Sequence, residues 1–109
     1  GIDLDPAQPG YRQIVMRPQL GGGLTSASAE LRSPRGPIRS AWQLAGGALS
    51  WRIEVPANAS ATVYVPCAAG TAVREGGLPA AEAPGVRFLR REGDAAVFEV
   101  GAGAYHFEA

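Results

Sequence analysis

His106 is the single imidazole in a chain of 109 residues, and Cys67 is the single thiol. Around them stand ten carboxylates and ten arginines, with no lysine at all. Acyl transfer by a serine nucleophile needs a histidine beside both an acid and an activated hydroxyl, and no G-x-S-x-G run supplies the turn that would present such a serine. His106, between Tyr105 and Phe107, is instead expected to point outward from a strand as a solvent-exposed or hydrogen-bonded structural group. One histidine among scattered carboxylates lacks the ligand spacing of a metal site, so neither metal nor cofactor is expected. Cys67, in "VPCAAG", has no neighbouring His or Lys to activate it and reads as a packed thiol. A lone cysteine also excludes an internal disulfide.

Glycoside hydrolysis needs only two carboxylates, which sequence distance does not keep apart, so Asp3, Asp5, Glu54 and Glu99 are the nominees. Glu54 and Glu99 fall on the polar side of alternating segments, where charges belong anyway, and Asp3 and Asp5 lie in the entry to the chain. Solvated surface is the reading adopted for all four, and no catalytic residue is assigned. The "GGGL" run leads into a strand, whereas a phosphate loop must feed a helix N-terminus. "NAS" at Asn58 to Ser60 fits a glycosylation acceptor but reads as a turn asparagine. Trp42, Trp51 and Tyr64 raise the possibility of a sugar-stacking platform. The two tryptophans share faces with aliphatic residues and are expected in the core. Tyr64 is the one ring expected to be exposed, a candidate for substrate binding.

The elements that must position these groups follow a period of two. In "ALSWRIEVP", Leu49, Trp51, Ile53 and Val55 alternate with Ser50, Arg52 and Glu54, the mark of a strand with one dry and one wet face. Pro56 ends it, and "ATVYVP" alternates again with Ala61, Val63 and Val65 inward. This pair is expected to form a β-hairpin. "LTSASAELR" places Ala27, Ala29 and Leu31 on one side, and "PIRSAWQL" places Ile38 and Trp42 together with small Ser40 between them. "GVRFLRRE" and "AAVFEV" flank Gly93-Asp94 as a second hairpin, and "AYHFE" is the last strand. "LPAAEA" is at most one helical turn. Gly- and Pro-rich breakers separate all of these segments. The pattern predicts an all-β fold, a two-sheet antiparallel β-sandwich, with residues 1–12 as an entry linker and 13–109 as one domain.

The balance of charge gives a formal net charge of zero, with Arg90-Arg91 as the longest like-signed run. Such a surface does not build the one-sided positive field that phosphate backbones require, so nucleic acid is not an expected partner. No apolar run approaches the ~20 residues of a membrane helix, so no membrane partner is expected. The compartment stays open, since one cysteine suits the cytoplasm without excluding export. A chain opening at Gly1 reads as a fragment or a processed product, with a further domain expected upstream.

The runs "PGYRQIVMRPQ", "GPIRSAW", "LSWRIEVPANASATVYVP" and "VFEVGAGAYHFE", in this order, resemble the C-terminal β-sandwich domain of bacterial α-L-rhamnosidases, the family 78 glycoside hydrolases. Gly1-Ile2 matches the family's junction after an (α/α)6 barrel, and Pro9-Gly10-Tyr11 its entry strand. Gly36, Ile38, Ser40 and Trp42 match a further strand. Pro56 and Asn58, with Ala61, Val63 and Pro66, match its proline-asparagine turn, and Gly103, Tyr105 and Phe107 its last strand. "REGG" at Arg74 to Gly77 departs from the more polar turn of the family. The resemblance implies a non-catalytic accessory domain whose partner is the upstream catalytic barrel of the same parent chain. That barrel would carry the acid and base of an inverting hydrolase. Tyr11 and Arg12 become candidates for the domain interface. The alternatives carried forward are a carbohydrate-binding module for rhamnose-containing glycans and an immunoglobulin-like structural domain.

Overall fold

Strands whose apolar residues recur at every second position bury one face only, and here two sets of such strands close over each other. The computed structural model describes residues 2–4, 13–18, 25–33, 36–67, 70 and 72–109. They form β1 (Ile2–Leu4), β2 (Gln13–Met16), β3 (Ser26–Ser33), β4 (Gly36–Ala45), β5 (Ala48–Val55), β6 (Ser60–Pro66), β7 (Arg74–Glu75), β8 (Leu78–Pro79), β9 (Val86–Glu92), β10 (Ala95–Val100) and β11 (Gly103–Glu108). Sheet A has the order β1-β2-β6-β10-β9, and sheet B the order β3-β4-β5-β11-β7-β8. Their pairings are antiparallel except for β2 beside β6, which is parallel. The expected all-β sandwich is thus the fold observed, and "LPAAEA" contributes the single 3-10 turn Ala80–Glu82.

The core lies between the sheets. Sheet B contributes Ile38, Trp42, Leu49, Trp51, Ile53, Val55 and Phe107, and sheet A contributes Ile14, Met16, Ala61, Val63, Val65, Phe98 and Val100. Side chains of this size each gain roughly 1.5–3 kcal/mol from full burial. Phe98 reaches across to Phe107 at 5.7 Å between ring centroids, and Phe107 meets Trp51 at 6.4 Å. Ser40 is the only buried polar residue among those described, and its hydroxyl accepts the indole N–H of Trp51 at 2.8 Å. An indole donor inside an apolar layer must be satisfied, and the small serine between Ile38 and Trp42 is placed to do so.

The hairpin at Gly93-Asp94 is present, β9 and β10 pairing with a bulge at Val97/Phe98. The hairpin expected of β5 and β6 is not: β5 lies in sheet B and β6 in sheet A, so Pro56–Ala59 is an arch carrying the chain from one layer to the other. Alternation fixes which residues are inward, but two strands that face each other across a core show the same alternation as two strands side by side. The corner itself is buried at Pro56 and Ala59. It is closed by the Ala59 N–H on the Pro56 carbonyl and turned by Asn58 at φ 62°, which bears out the turn reading of that asparagine.

A second crossing joins β10 to β11 through Gly101 and Ala102. Tyr105 locks it, its hydroxyl donating to the Gly101 carbonyl at 3.0 Å, as tyrosines do at the corners of other sandwiches. Gly85 lies against this hydroxyl with φ +78°, and a Cβ there would stand 2.8 Å from the phenol oxygen. Burial, and then the charge of Glu75, hold the Tyr105 phenol above its ordinary value near 10.

Two outcomes are expected from these contacts. Ser40→Ala leaves the Trp51 donor without its partner and is expected to lower unfolding free energy by about 1–3 kcal/mol in denaturant titrations. The exposed Ser28→Ala is the control, within about 0.5 kcal/mol of the parent. Because the folded state holds the Tyr105 proton more tightly than the unfolded state, this part of the stability is intact below the unfolded phenol's value. It is lost as pH rises through the folded one. Thermal midpoints between about pH 9 and 11 should therefore fall more steeply for the parent than for Tyr105→Phe.

Candidate functional site

Cross-strand register lays the outward side chains of sheet B in three rows. They run Glu30, Arg39, Glu54, Ala104; then Ser28, Ala41, Arg52, His106; then Ser26, Gln43, Ser50, Glu108. Ala41 and Ala104 are too short to fill the spaces among their long neighbours. A groove of about 430 Å³ results, walled by Arg39, Arg52, Glu54, Glu75 and His106. A second, of about 410 Å³, adjoins it among Ser26, Ser28, Gln43, Ser50 and Arg52.

Most charges here are spoken for. Arg39 reaches Glu54 at 2.8 Å and Glu30 at 3.5 Å. The hydrogen bond and then the charge of Glu54, with Glu30 beyond, make its guanidinium harder to deprotonate than an isolated one. Pairs this exposed contribute little to stability singly, but the triad ties β3, β4 and β5 together on the wet face. Arg52 has no acidic partner within ion-pair distance among the described residues.

His106 is half-buried, and its Nε2 lies 2.7 Å from Ser50 Oγ, while its backbone N–H donates to Glu75 Oε2 at 3.0 Å. A serine hydroxyl beside an imidazole is the first half of a nucleophile and base pair. The nearby acid, however, holds the main chain and not the ring, so the pair acts as a clasp between β5 and β11. Of the two states expected of His106, solvent-exposed or hydrogen-bonded, the structure has the second. Its partner was not predictable, since Ser50 and His106 lie 56 positions apart and only the sheet order brings them together.

The nominated carboxylates do not converge. Glu54 belongs to the outward face of sheet B and pairs with Arg39, whereas Glu99 belongs to the outward face of sheet A and pairs with Arg87 at 2.8 Å. With the core between them, they cannot flank one glycosidic bond. The side chain of Asp3, all of Asp5, and the interface candidates Tyr11 and Arg12 lie outside the described residues.

Tyr64 is half-buried on the outward face of sheet A. Arg17 stacks on its ring with the guanidinium carbon 3.9 Å from the centroid, and Arg90 donates to its hydroxyl at 3.2 Å. Glu92 joins both arginines, at 4.0 Å from Arg17 and 3.3 Å from Arg90. A sugar ring would have to displace Arg17 to stack there. Trp42 and Trp51 are in the core as expected. Sequence reasoning missed Phe88, which is 47% exposed. It lies on the inner side of edge strand β9, edge-on to Phe98 at 5.5 Å, where the end of the layer leaves it half open. Cys67 is half-buried and meets the Arg91 guanidinium at 3.4 Å from its sulfur, a cation that adjacency in sequence did not reveal. No group of three potential metal ligands occurs among the described residues.

Comparison with known proteins places this arrangement. A family model described as the bacterial alpha-L-rhamnosidase C-terminal domain matches residues 1–77. An alpha-L-rhamnosidase of Streptomyces avermitilis is 38% identical over 104 residues, which cover 95% of this chain and 9% of that protein. The crystal structure of the Streptomyces avermitilis alpha-L-rhamnosidase complexed with L-rhamnose aligns at a TM-score of 0.81 and 36% identity, over 95% of this chain and 9% of that one. The alpha-L-rhamnosidase structure from Dictyoglumus thermophilum aligns at a TM-score of 0.83 and 31% identity, over 99% of this chain and 12% of that one.

Proposed function

Because the chain belongs to the bacterial alpha-L-rhamnosidase C-terminal domain family, we propose that it is the non-catalytic accessory sandwich of a longer α-L-rhamnosidase, packed against and stabilising the (α/α)6 barrel of the same polypeptide. The chain spans only 9% of the length of its Streptomyces avermitilis relative. The observation that carries the reading is the placement of the acids, with Glu54 and Glu99 on opposite outer faces and each held by an arginine. Cleavage of a rhamnoside by inversion needs an acid and a base on either side of one bond, and Glu54 and Glu99 do not stand so. What the sandwich does offer is a rigid two-layer body with its own core.

A second reading is favoured by one observation, the pair of grooves on sheet B with Arg52, which has no acidic partner among the described residues, between them. Serine hydroxyls, the Gln43 amide and a guanidinium are the donors and acceptors a saccharide needs. Under this reading the domain retains its parent on rhamnose-bearing glycans.

The two readings separate experimentally. Full-length protein is expected to hydrolyse an aryl α-L-rhamnoside and the 109-residue chain to leave it intact; turnover by the purified chain would overturn the accessory role. Titration calorimetry of the same chain with L-rhamnose and rhamnosylated flavonoids is expected to be flat. Saturable heat that Arg52→Ala abolishes would instead establish the grooves as a sugar site.

A further inference from the structure

The two sheets do not end together. β3 is the edge of sheet B and runs for eight residues, paired on one side with β4 and with no other strand among the described residues. Ala27, Ala29 and Leu31 stand opposite Trp42, Ser40 and Ile38, so they belong to the core side of the sheet. Yet all three are exposed, Leu31 at 39%, while their partners on β4 are buried. The reason lies in the other layer, where the strand that meets β3 is β1, three residues long.

The backbone is open as well. The Leu44 N–H donates to the Thr25 carbonyl at 2.7 Å, which sets the phase of the β3–β4 ladder. Residues 27, 29 and 31 therefore bond to β4, and the N–H and C=O groups of Ser28, Glu30 and Arg32 point away from it. Long flat edges invite pairing, and folded proteins protect them with lysine, proline, bulges or brevity. The opposite edges of this sandwich follow that rule. β8 is two residues long and ends in Pro79, and β9 carries Arg87, Arg90, Arg91 and Glu92 with a bulge in its pairing. β3 has no proline, lysine or bulge, and its charges Glu30 and Arg32 belong to the other face.

We propose that this open edge of β3, with its uncovered core-side strip Ala27, Ala29 and Leu31, is the surface by which the domain docks onto the part of its own polypeptide that precedes residue 1. The inference rests on the accessory-domain reading and adds which surface is used. The occupant follows from where the chain arrives. β1 is Ile2–Leu4 and lies against β3, so polypeptide entering at residue 1 is delivered to this edge. The Streptomyces avermitilis relative, of which this chain covers 9%, has ample chain to cover it. A short tether gives such a contact a high effective concentration, so a modest apolar strip and a row of backbone groups suffice. The matching surface must present apolar side chains toward Leu31 and hydrogen-bonding groups toward Ser28, Glu30 and Arg32.

Hydrogen exchange read by mass spectrometry on the full-length protein and on the 109-residue chain tests this. Peptides spanning 26–33 are expected to exchange about tenfold or more slowly in the full-length protein than in the shorter chain. Leu31→Arg in the full-length protein is expected to erase that difference and lower its thermal midpoint, while leaving the circular dichroism of the 109-residue chain unchanged. Equal protection of 26–33 in both proteins would overturn the proposal, because the edge would then be covered from within. Slowing confined to peptides around Leu78 and Phe88, or to the sheet B grooves, would also overturn it while leaving an accessory domain docked elsewhere. No slowing anywhere in the domain would sink the accessory reading itself.

Discussion

The sandwich turns on one buried hydrogen bond, from the Trp51 indole to the Ser40 hydroxyl. The ring is the largest fully buried side chain, and its single donor has to find oxygen in a layer otherwise made of aliphatic and aromatic carbon. Ser40 is on β4 and Trp51 on the adjacent β5, two residues off register on the same face, so the bond holds these strands against slippage. A shift of one residue would turn Ser40 outward and bring Arg39 or Ala41 into the core. From this anchored pair the packing spreads through Phe107 to Phe98, so the aromatic chain that joins the two layers begins at the same ring.

Much of this was visible in the residues before any coordinates. Ile38, Ser40 and Trp42 on one side, and Leu49, Trp51, Ile53 and Val55 on another, are inward as the period of two required, because burial of one face is a local property of a strand. Which strand lies beside which is not local. The step from Val55 to Ser60 reads as a tight reversal, yet Pro56 and Ala59 bury a corner between layers. The clasp between Ser50 and His106, the Arg91 contact with Cys67 and the covering of Tyr64 by Arg17 all depend on the order β2-β6-β10-β9 or β5-β11. No pattern of alternation encodes that order. Phe88 shows a different limit, since period two gives the direction of a side chain but not whether the opposing layer extends far enough to cover it.

The outer faces divide the polar chemistry between the two sheets. Acids pair with arginines across neighbouring strands, at Arg39 with Glu54 on one sheet and Arg87 with Glu99 on the other. Such pairs decorate an alternating strand wherever its wet face carries charge, which is why the carboxylates looked eligible in sequence and are occupied in the fold.

β11 sits inside sheet B, between β5 and β7, although its residues are 103–108. Synthesis on the ribosome runs from the first residue to the last, so the edge of β5 stays bare until almost the entire segment has emerged. Trp51 then waits for Phe107, and β7 has no partner strand other than β8. Closure of this layer is thereby postponed until residues 103–108 have emerged, and the nascent segment spends that interval with its aromatic centre in need of shelter from other chains.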